Sequence, residues 1–349
     1  MLFLKIQEKG YQTLRLIMSQ CNAMINQDYE PVVHSGQWLL TKLKIPSLYT
    51  NYSQYLSRLN INTEVFSLQY ESPITFAAFE SHLDSIRFWL YLGCGGGCLK
   101  TIKFEKSPGN LTPRIQQLKI NGQEHLINAL GLPGPGIKAL LSNLKHSPLI
   151  HMHHPIGISI GGHTLKEYKQ VVDVLAVRQE ALFKQTYFEL NISCPNTTTG
   201  KSLHDNLFEL EQLLKYIRLK LNGVIVIKVS PDAKDQNLLE IAELATSYDQ
   251  VTINAGNTQF KEETKVGLKS GSISIGGGGL SGPLLFERTL EMAKLLSPFK
   301  LPLIATGGIA TVDQIKALQP HGVVCVGLAT GLVKNPFIIP QLNQRLADG

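Results

Sequence analysis

From about Thr75 onward the chain repeats one pattern: a short apolar run rich in β-branched residues, then a stretch with helical spacing. Candidate strands fall at residues 97–102, 125–129, 156–160, 187–192, 224–229, 250–254, 301–306 and 323–326. Helical periodicity is clearest at 207–220, 236–246 and 284–296. Strands separated by helices cannot pair as tight hairpins; each lies parallel to the one before, with the helices covering the sheet. About eight such units close a (β/α)8 barrel of the TIM type better than they fill an open sheet. A doubly wound sheet is the competing α/β architecture, and it normally carries a glycine-rich turn after its first strand. No such turn stands there.

Residues 1–70 lack the alternation. Two helical stretches, 4–24 and 32–43, precede a loop containing Pro46 and several Asn, Tyr and Ser residues. The chain therefore divides into an N-terminal helical extension, 1–70, and a barrel, 71–349. The helices mix Leu, Ile and Met with Lys and Gln, which suits packing on the barrel. An apolar lid, or contact with a membrane surface, is the alternative.

Composition narrows the function classes. At 43% hydrophobic and 17% charged residues, the chain reads as a globular protein able to bury a full core. A formal charge of +6 suits an anionic ligand or an anionic membrane surface. No dense Lys/Arg block speaks for nucleic acid. The cysteines (Cys21, Cys94, Cys98, Cys194 and Cys325) are odd in number and scattered, which points to a reducing compartment such as the cytoplasm rather than a disulfide framework. No apolar run reaches the ~18 residues of a membrane span, and the first residues are too soon charged for a cleaved leader. Cys94-Gly-Gly-Gly-Cys98 lacks the spacing of redox or zinc motifs and reads as tight packing. His151-Met-His-His154 has no acidic or Cys residue nearby and reads as a solvent-facing or strand-end cluster, so no metal is expected.

Chemistry concentrates in Asn191-Ile192-Ser193-Cys194-Pro195-Asn196, which follows the apolar run Tyr187-Phe188-Glu189-Leu190. A strand delivers a thiol, a hydroxyl and two carboxamides into one turn that Pro195 stiffens. Carboxamides donate and accept at once, which suits a flat, polar, amide-like ligand, and a thiol among them can serve as base or nucleophile. A buried structural cysteine is the alternative. Two glycine turns follow the last two strands. Residues 301–306 lead into Gly307-Gly308, after which Thr311 and Gln314 form a capping-box pattern. Residues 323–326 lead through Leu328-Ala329 to Thr330-Gly331. Glycines let backbone approach a phosphate, and the loops after barrel strands 7 and 8 are the usual phosphate site. Ligand-free tight turns are the alternative.

Further pieces complete an order. Lys228 ends Val224-Ile-Val-Ile-Lys228, Asn254 ends Val251-Thr-Ile-Asn254, and Gly276-Gly-Gly-Gly-Leu-Ser-Gly282 follows. With the Ser-Cys-Pro-Asn, Gly-Gly-Ile and Thr-Gly motifs, this order resembles the dihydroorotate dehydrogenases, FMN enzymes of pyrimidine (UMP) biosynthesis. The resemblance covers about residues 71–345, and Pro108-Gly-Asn-Leu-Thr-Pro-Arg114 and Ile127-Asn-Ala-Leu-Gly-Leu-Pro133 add to it. It implies that Cys194 removes the C5 proton of dihydroorotate while hydride passes from C6 to FMN, giving orotate. It implies substrate contacts from Lys100, Asn128, Leu130, Gly131, Asn191, Asn196, Asn254 and Ala255. For the flavin it implies Ala77, Ala78, Lys100, Thr101, Ser159, Asn191, Lys228, Ile253, Gly282, Gly307, Gly308, Ala329, Thr330 and Gly331. Lys228 would stabilise the anionic reduced ring.

The chain also departs from the family pattern. Phe79 stands where an Ala-Ala-Gly turn would have glycine, His82 replaces a lysine, and Gly134-Pro135-Gly136 replaces a usual Asn. Cys194, Lys100 and Ile253-Asn-Ala-Gly-Asn257 resemble the soluble branch, whereas the long extension resembles the quinone-reducing branch. Both quinone and fumarate stay open as electron acceptors, with quinone favoured. Peripheral contact with the inner face of the cell membrane and a homodimer are further expectations. Another flavin barrel acting on a pyrimidine, and a degenerate FMN-binding barrel without turnover, are the competing readings.

Cys194→Ala tests the base. Flavin bleaching by dihydroorotate, followed by stopped flow, should slow by about 100-fold, the usual scale for losing a general base, while FMN stays bound. A native rate in that variant, with a substrate deuterium effect showing that chemistry limits, removes Cys194 from the role.

Overall fold

The computed structural model describes residues 2–25, 28–42, 58–192 and 203–349. Ser193, Cys194, Pro195 and Asn196, and the expected loop around Pro46, lie outside the described residues. The chain opens with helices α1 (Leu2–Ile25) and α2 (Glu30–Lys42), followed by an antiparallel hairpin of β1 (Thr63–Val65) and β2 (Leu68–Tyr70).

Eight parallel strands then close a barrel in chain order: β3 (Ile74–Phe76), β4 (Gly96–Ile102), β7 (Pro155–Ile160), β8 (Gln185–Asn191), β9 (Ile225–Val229), β10 (Val251–Ala255), β13 (Leu303–Thr306) and β14 (Val323–Leu328). β14 returns to pair with β3. Each is followed by helix: α3 (Leu83–Tyr91), α4 (Ile137–Lys145), α5 (Leu165–Ala176), α6 (Leu207–Lys220), α7 (Asp235–Thr246), α8 (Phe286–Leu296), α9 (Val312–Leu318), and α10 (Thr330–Lys334) with α11 (Ile338–Ala347). This is the expected (β/α)8 barrel with helices before it. β7, β9 and β10 are buried along their whole length, as strands covered on both faces must be.

The helices meet the barrel through stripes at helical spacing. In α6, Leu210, Leu213, Leu214 and Ile217 are buried; in α5, Tyr168, Val171, Val172 and Leu175 are. Each fully buried Leu, Ile or Val contributes roughly 1.5–3 kcal/mol. Side-chain caps fix the starts. Thr164 accepts from the Glu167 N–H and Asn206 from that of Glu209, and Thr311 with Gln314 forms the expected capping box. Val65, Leu68 and Tyr70 of the hairpin pack with Cys98, Tyr187, Val226 and Cys325, filling the barrel toward the N-terminal ends of its strands. Cys94 and Cys98 are both buried, which accords with a packing role; burial pushes the Cys94 thiol up to about 12.

One expected strand belongs elsewhere. The apolar character of residues 125–129 suggests a barrel strand, but β6 (Gln123–Asn128) pairs antiparallel with β5 (Ile115–Ile120) and β12 (Gly277–Ser281), and β12 pairs with β11 (Gln259–Glu262). The β5–β6 link is Asn121-Gly122, both with positive φ, the two-residue turn that matches the twist of a hairpin. β6 is half exposed at its start, unlike the buried barrel strands. The first barrel position is taken instead by three-residue β3, too short to show a period.

The N-terminal helices are stitched to this outer sheet by carboxylates. Asp28 Oδ1 accepts from the backbone N–H of Glu30 and of Ile115, and its Oδ2 from that of Arg114. The Glu30 carboxylate takes two hydrogen bonds from the Arg114 guanidinium, at 2.7 and 2.8 Å. Tyr11, 3% exposed, reaches from α1 to the carbonyl of Val333. Glu8 accepts from Asn335 and Gln341.

Burial pushes the Glu30 carboxyl up, but the Arg114 hydrogen bonds and charge outweigh it, so it sits below its ordinary 4.5. A depressed carboxyl stabilises fully above that value and loses its contribution as the pH falls through the folded pKa. Glu30→Gln should speed amide exchange across α2 by roughly 10-fold or more, from the ~1.5–3 kcal/mol of a charge-assisted bond. The native protein should show the same acceleration only on acidification below about pH 4.5. Equal exchange in native and variant protein at pH 7 would show that the pair does not hold the helix.

Candidate active site

The C-terminal ends of the barrel strands, the outer sheet and α10 enclose a cavity of about 210 Å³. β4 supplies Lys100 and Thr101, β8 Asn191, β9 Lys228 and β13 Thr306, while Asn128 ends β6 above them. Of the residues singled out in the sequence, Ala77, Ala78, Leu130, Gly131, Gly282, Gly307, Gly308, Ala329, Thr330 and Gly331 also line it. The two glycine turns thus stand together, next to the first barrel loop, as consecutive positions around a closed barrel require.

Hydrogen bonds orient the polar wall. The Asn191 amide donates to Thr101 Oγ1 at 2.8 Å, and Thr101 shares a 2.9 Å hydroxyl contact with Ser159. The Tyr168 hydroxyl donates to the Asn191 carbonyl at 2.7 Å. Asn191 Oδ1 is buried and has no partner among the described residues; such an acceptor is costly unless a ligand uses it. Lys228 is 5% exposed and makes no ion pair among the described residues. Burial pulls the Lys100 ammonium below its ordinary range, against the upward pull of Glu80. An anion entering beside Lys100 reverses that penalty.

At the glycine end, Gly308 has φ +71 and an added Cβ would lie 2.3 Å from the Phe286 nitrogen, so only glycine fits the approach to α8. Gly331 differs: a Cβ there meets nothing nearer than Ile338 Cδ1 at 3.9 Å. Two lysines, an orphaned carboxamide oxygen and a glycine-lined far end fit a flat ring with polar edges and an anionic tail, the shape and charge of FMN.

Four expected site residues lie beneath the wall. Ser159, Ile253, Asn254 and Ala255 are 3% exposed or less and do not line the cavity. Asn254 is engaged at both ends of its amide: Nδ2 donates to Glu189 Oε2 at 3.0 Å, and Oδ1 accepts from Thr306 at 2.9 Å. Ser159 contributes through Thr101. Cys194 and Asn196 lie outside the described residues. Conversely, Asn257, Thr258, Ser281 and Lys334 line the cavity without having been singled out as site residues. Lys334 lies one helical turn after Thr330 and is paired with Glu124 at 3.3 Å; that spacing was a readable signal.

The sequence profile described as dihydroorotate dehydrogenase matches residues 60–349. The chain belongs to the dihydroorotate dehydrogenase family. A dihydroorotate dehydrogenase (quinone) of Christiangramia forsetii is 30% identical over 299 residues, covering 82% of this chain and 85% of the relative. One of Chloroflexus aurantiacus is 28% identical over 298 residues, 80% of each chain. The crystal structure of a DHODH from Eimeria tenella in complex with ferulenol superimposes with a TM-score of 0.76 at 19% identity, covering 91% of this chain and 90% of that one, which shows a shared fold. Family membership carries the reaction, oxidation of dihydroorotate to orotate in pyrimidine biosynthesis, and the cofactor, FMN.

The open space at Gly331 allows a clean test of where the phosphate lies. Gly331→Leu should fold with unchanged circular dichroism yet lose FMN, its dissociation constant rising by about 100-fold for a displaced charged group, on the order of 3 kcal/mol. A yellow protein of native FMN affinity would move the phosphate away from α10.

Proposed function

We propose that this family member carries out dihydroorotate oxidation in the cavity just described and passes the electrons to a quinone. The carrying observation is the meeting of Lys100, Asn128, Asn191 and Lys228 with the Gly307-Gly308 turn in one enclosed space. FMN, when bound, supplies the hydride acceptor and the outlet for two electrons. Lys228 supplies a fixed cation against the negative charge of a reduced ring, and its place at the end of a buried strand prevents it from swinging away. The substrate carboxylate is the anion that suits Lys100. Asn128 and Asn191 orient the ring amides, with Asn191 already held by Thr101. Cys194 follows Asn191 by three residues and takes the C5 proton. The Phe79 ring lies stacked on Trp89, centroids 5.4 Å apart, and the cavity stays open beside it. That favours turnover over a degenerate barrel.

Quinone is supported by two features. The relatives from Christiangramia and Chloroflexus bear the quinone name. The N-terminal helices also expose Ile6, Leu16, Ile17 and Trp38, at 61, 58, 49 and 61%, alongside exposed Lys5 and Lys9. Apolar side chains with neighbouring cations suit an anionic bilayer surface, where a hydrophobic quinone is dissolved. No helix among the described residues is long and apolar enough to cross the membrane.

Flavin bleached by dihydroorotate should be reoxidised by a long-chain quinone carried in anionic phospholipid vesicles, and fumarate should leave it reduced. The double change Leu16→Glu, Ile17→Glu should slow the vesicle reaction at least ~10-fold, through lost apolar burial and charge repulsion, without touching the bleaching step. Rapid fumarate turnover with no quinone reduction would place this chain with fumarate-reducing enzymes.

A further inference from the structure

A second, smaller space of about 20 Å³ lies between the N-terminal helices and the barrel, lined by Tyr11, Arg15, Tyr29, Val32, Leu40 and Trp89 among others. Among the described residues, one side chain belongs to the walls of both spaces, and it is Phe79. This is the position at which the sequence departs from the family's Ala-Ala-Gly turn. A glycine there would remove the one side chain, among the described residues, that lines both spaces.

The residue is held through its backbone and through one face of its ring. Its backbone is pinned to the barrel rim: the Ala77 N–H donates to the Leu328 carbonyl, Phe79 N–H to Ala77, and Lys100 N–H to Glu80, all at 2.8–2.9 Å. Its face stacks on Trp89, which is 2% exposed and leans in turn on Phe76 at 5.7 Å. The next residue, Glu80, is 2% exposed and spends its carboxylate on Gln37 of α2 and on the N–H groups of Ser81 and His82 at the start of α3. Neither the turn nor the ring can swing clear without breaking buried contacts.

We propose that Phe79 is the partition between the cofactor cavity and the helix-lined space, and that its bulk determines which electron acceptors reach the flavin. A slim quinone head approaches past the ring edge; a heavily substituted one is stopped at it. This rests on the quinone reading above and deepens it. The electron balance is that of the family reaction's second half: the anionic reduced flavin would give up two electrons and one proton, water supplies the second proton, and the quinone becomes a hydroquinone.

The test isolates that half. FMN-loaded protein is reduced with dithionite rather than dihydroorotate, so substrate contacts play no part. Reoxidation is then timed with unsubstituted benzoquinone and with a fully substituted, short-tailed ubiquinone. The ratio of the substituted to the unsubstituted rate should rise at least 10-fold in Phe79→Ala, fall in Phe79→Trp, and stay near native in Phe79→Leu, which keeps most of the volume should the Ala variant fold poorly. A second readout needs no turnover. A redox-inert alkyl-4-quinolone, titrated calorimetrically into oxidised, FMN-loaded protein, should bind Phe79→Ala at least 10-fold tighter than the native chain. Ratios and affinities within two-fold across all variants overturn the partition. If no quinone reoxidises native protein but the substituted one reoxidises Phe79→Ala, the partition stands as a full barrier and the quinone reading falls. If neither protein reacts, both fall.

Discussion

The site depends on closure of the barrel through its shortest strand. β3 has three residues, and through them it pairs Ile74–Phe76 with Val326–Leu328 on one side and Thr75 and Phe76 with Gly96 and Gly97 on the other. The approach is close: a Cβ on Gly97 would sit 2.4 Å from the Phe76 carbonyl oxygen, and one on Gly96 equally near that of Pro155. Thr75 adds a side-chain hydrogen bond to the Val326 carbonyl, and the Val326 N–H reaches Pro73. Because the eighth strand must return to the first, the loops that follow them become neighbours. Ala77-Ala78-Phe79 thereby faces Ala329-Thr330-Gly331 across one cavity, though about 250 residues separate them.

Much of this was legible because the signals are local. A parallel strand buried on both faces is a continuous apolar run, so seven of the eight barrel strands stood out. The eighth did not: Ile74–Phe76 carries no more period than any apolar tripeptide, and its identity rests on partners far along the chain. Residues 125–129 failed for the opposite reason. An apolar run says that a strand is buried, not with whom it pairs, and only the Asn121-Gly122 turn carried the antiparallel message. In the site, glycine turns and strand-terminal polar residues could be placed from sequence since a barrel puts all strand ends on one rim. Side-chain direction could not be.

Asn254 shows why. It occupies a strand end, as the motif order demanded, yet its amide is drawn down onto Glu189, a carboxylate 1% exposed inside the barrel. A buried carboxyl recruits donors from across the strands, and here that carboxamide donates to it at 3.0 Å. Whether an end-of-strand Asn serves a ligand or the interior is thus decided two strands away, by a residue that looks from the sequence like an ordinary member of an apolar run. Lys228, between them in the strand order, has no such interior partner among the described residues and lines the cavity.

The Asp28 clamp has a mechanical meaning. One carboxylate holds the first turn of α2 and the consecutive amides of Arg114 and Ile115 where β5 begins, and β5 is hydrogen-bonded to β6, which carries Asn128 over the cavity. Helix and sheet therefore behave as the two arms of a lever whose pivot is Asp28. A push that lifts α2 from the barrel is transmitted through hydrogen-bonded backbone to the roof of the cavity, where Asn128 stands. The helix that borders the smaller space and the ceiling of the cavity are parts of a single hydrogen-bonded piece.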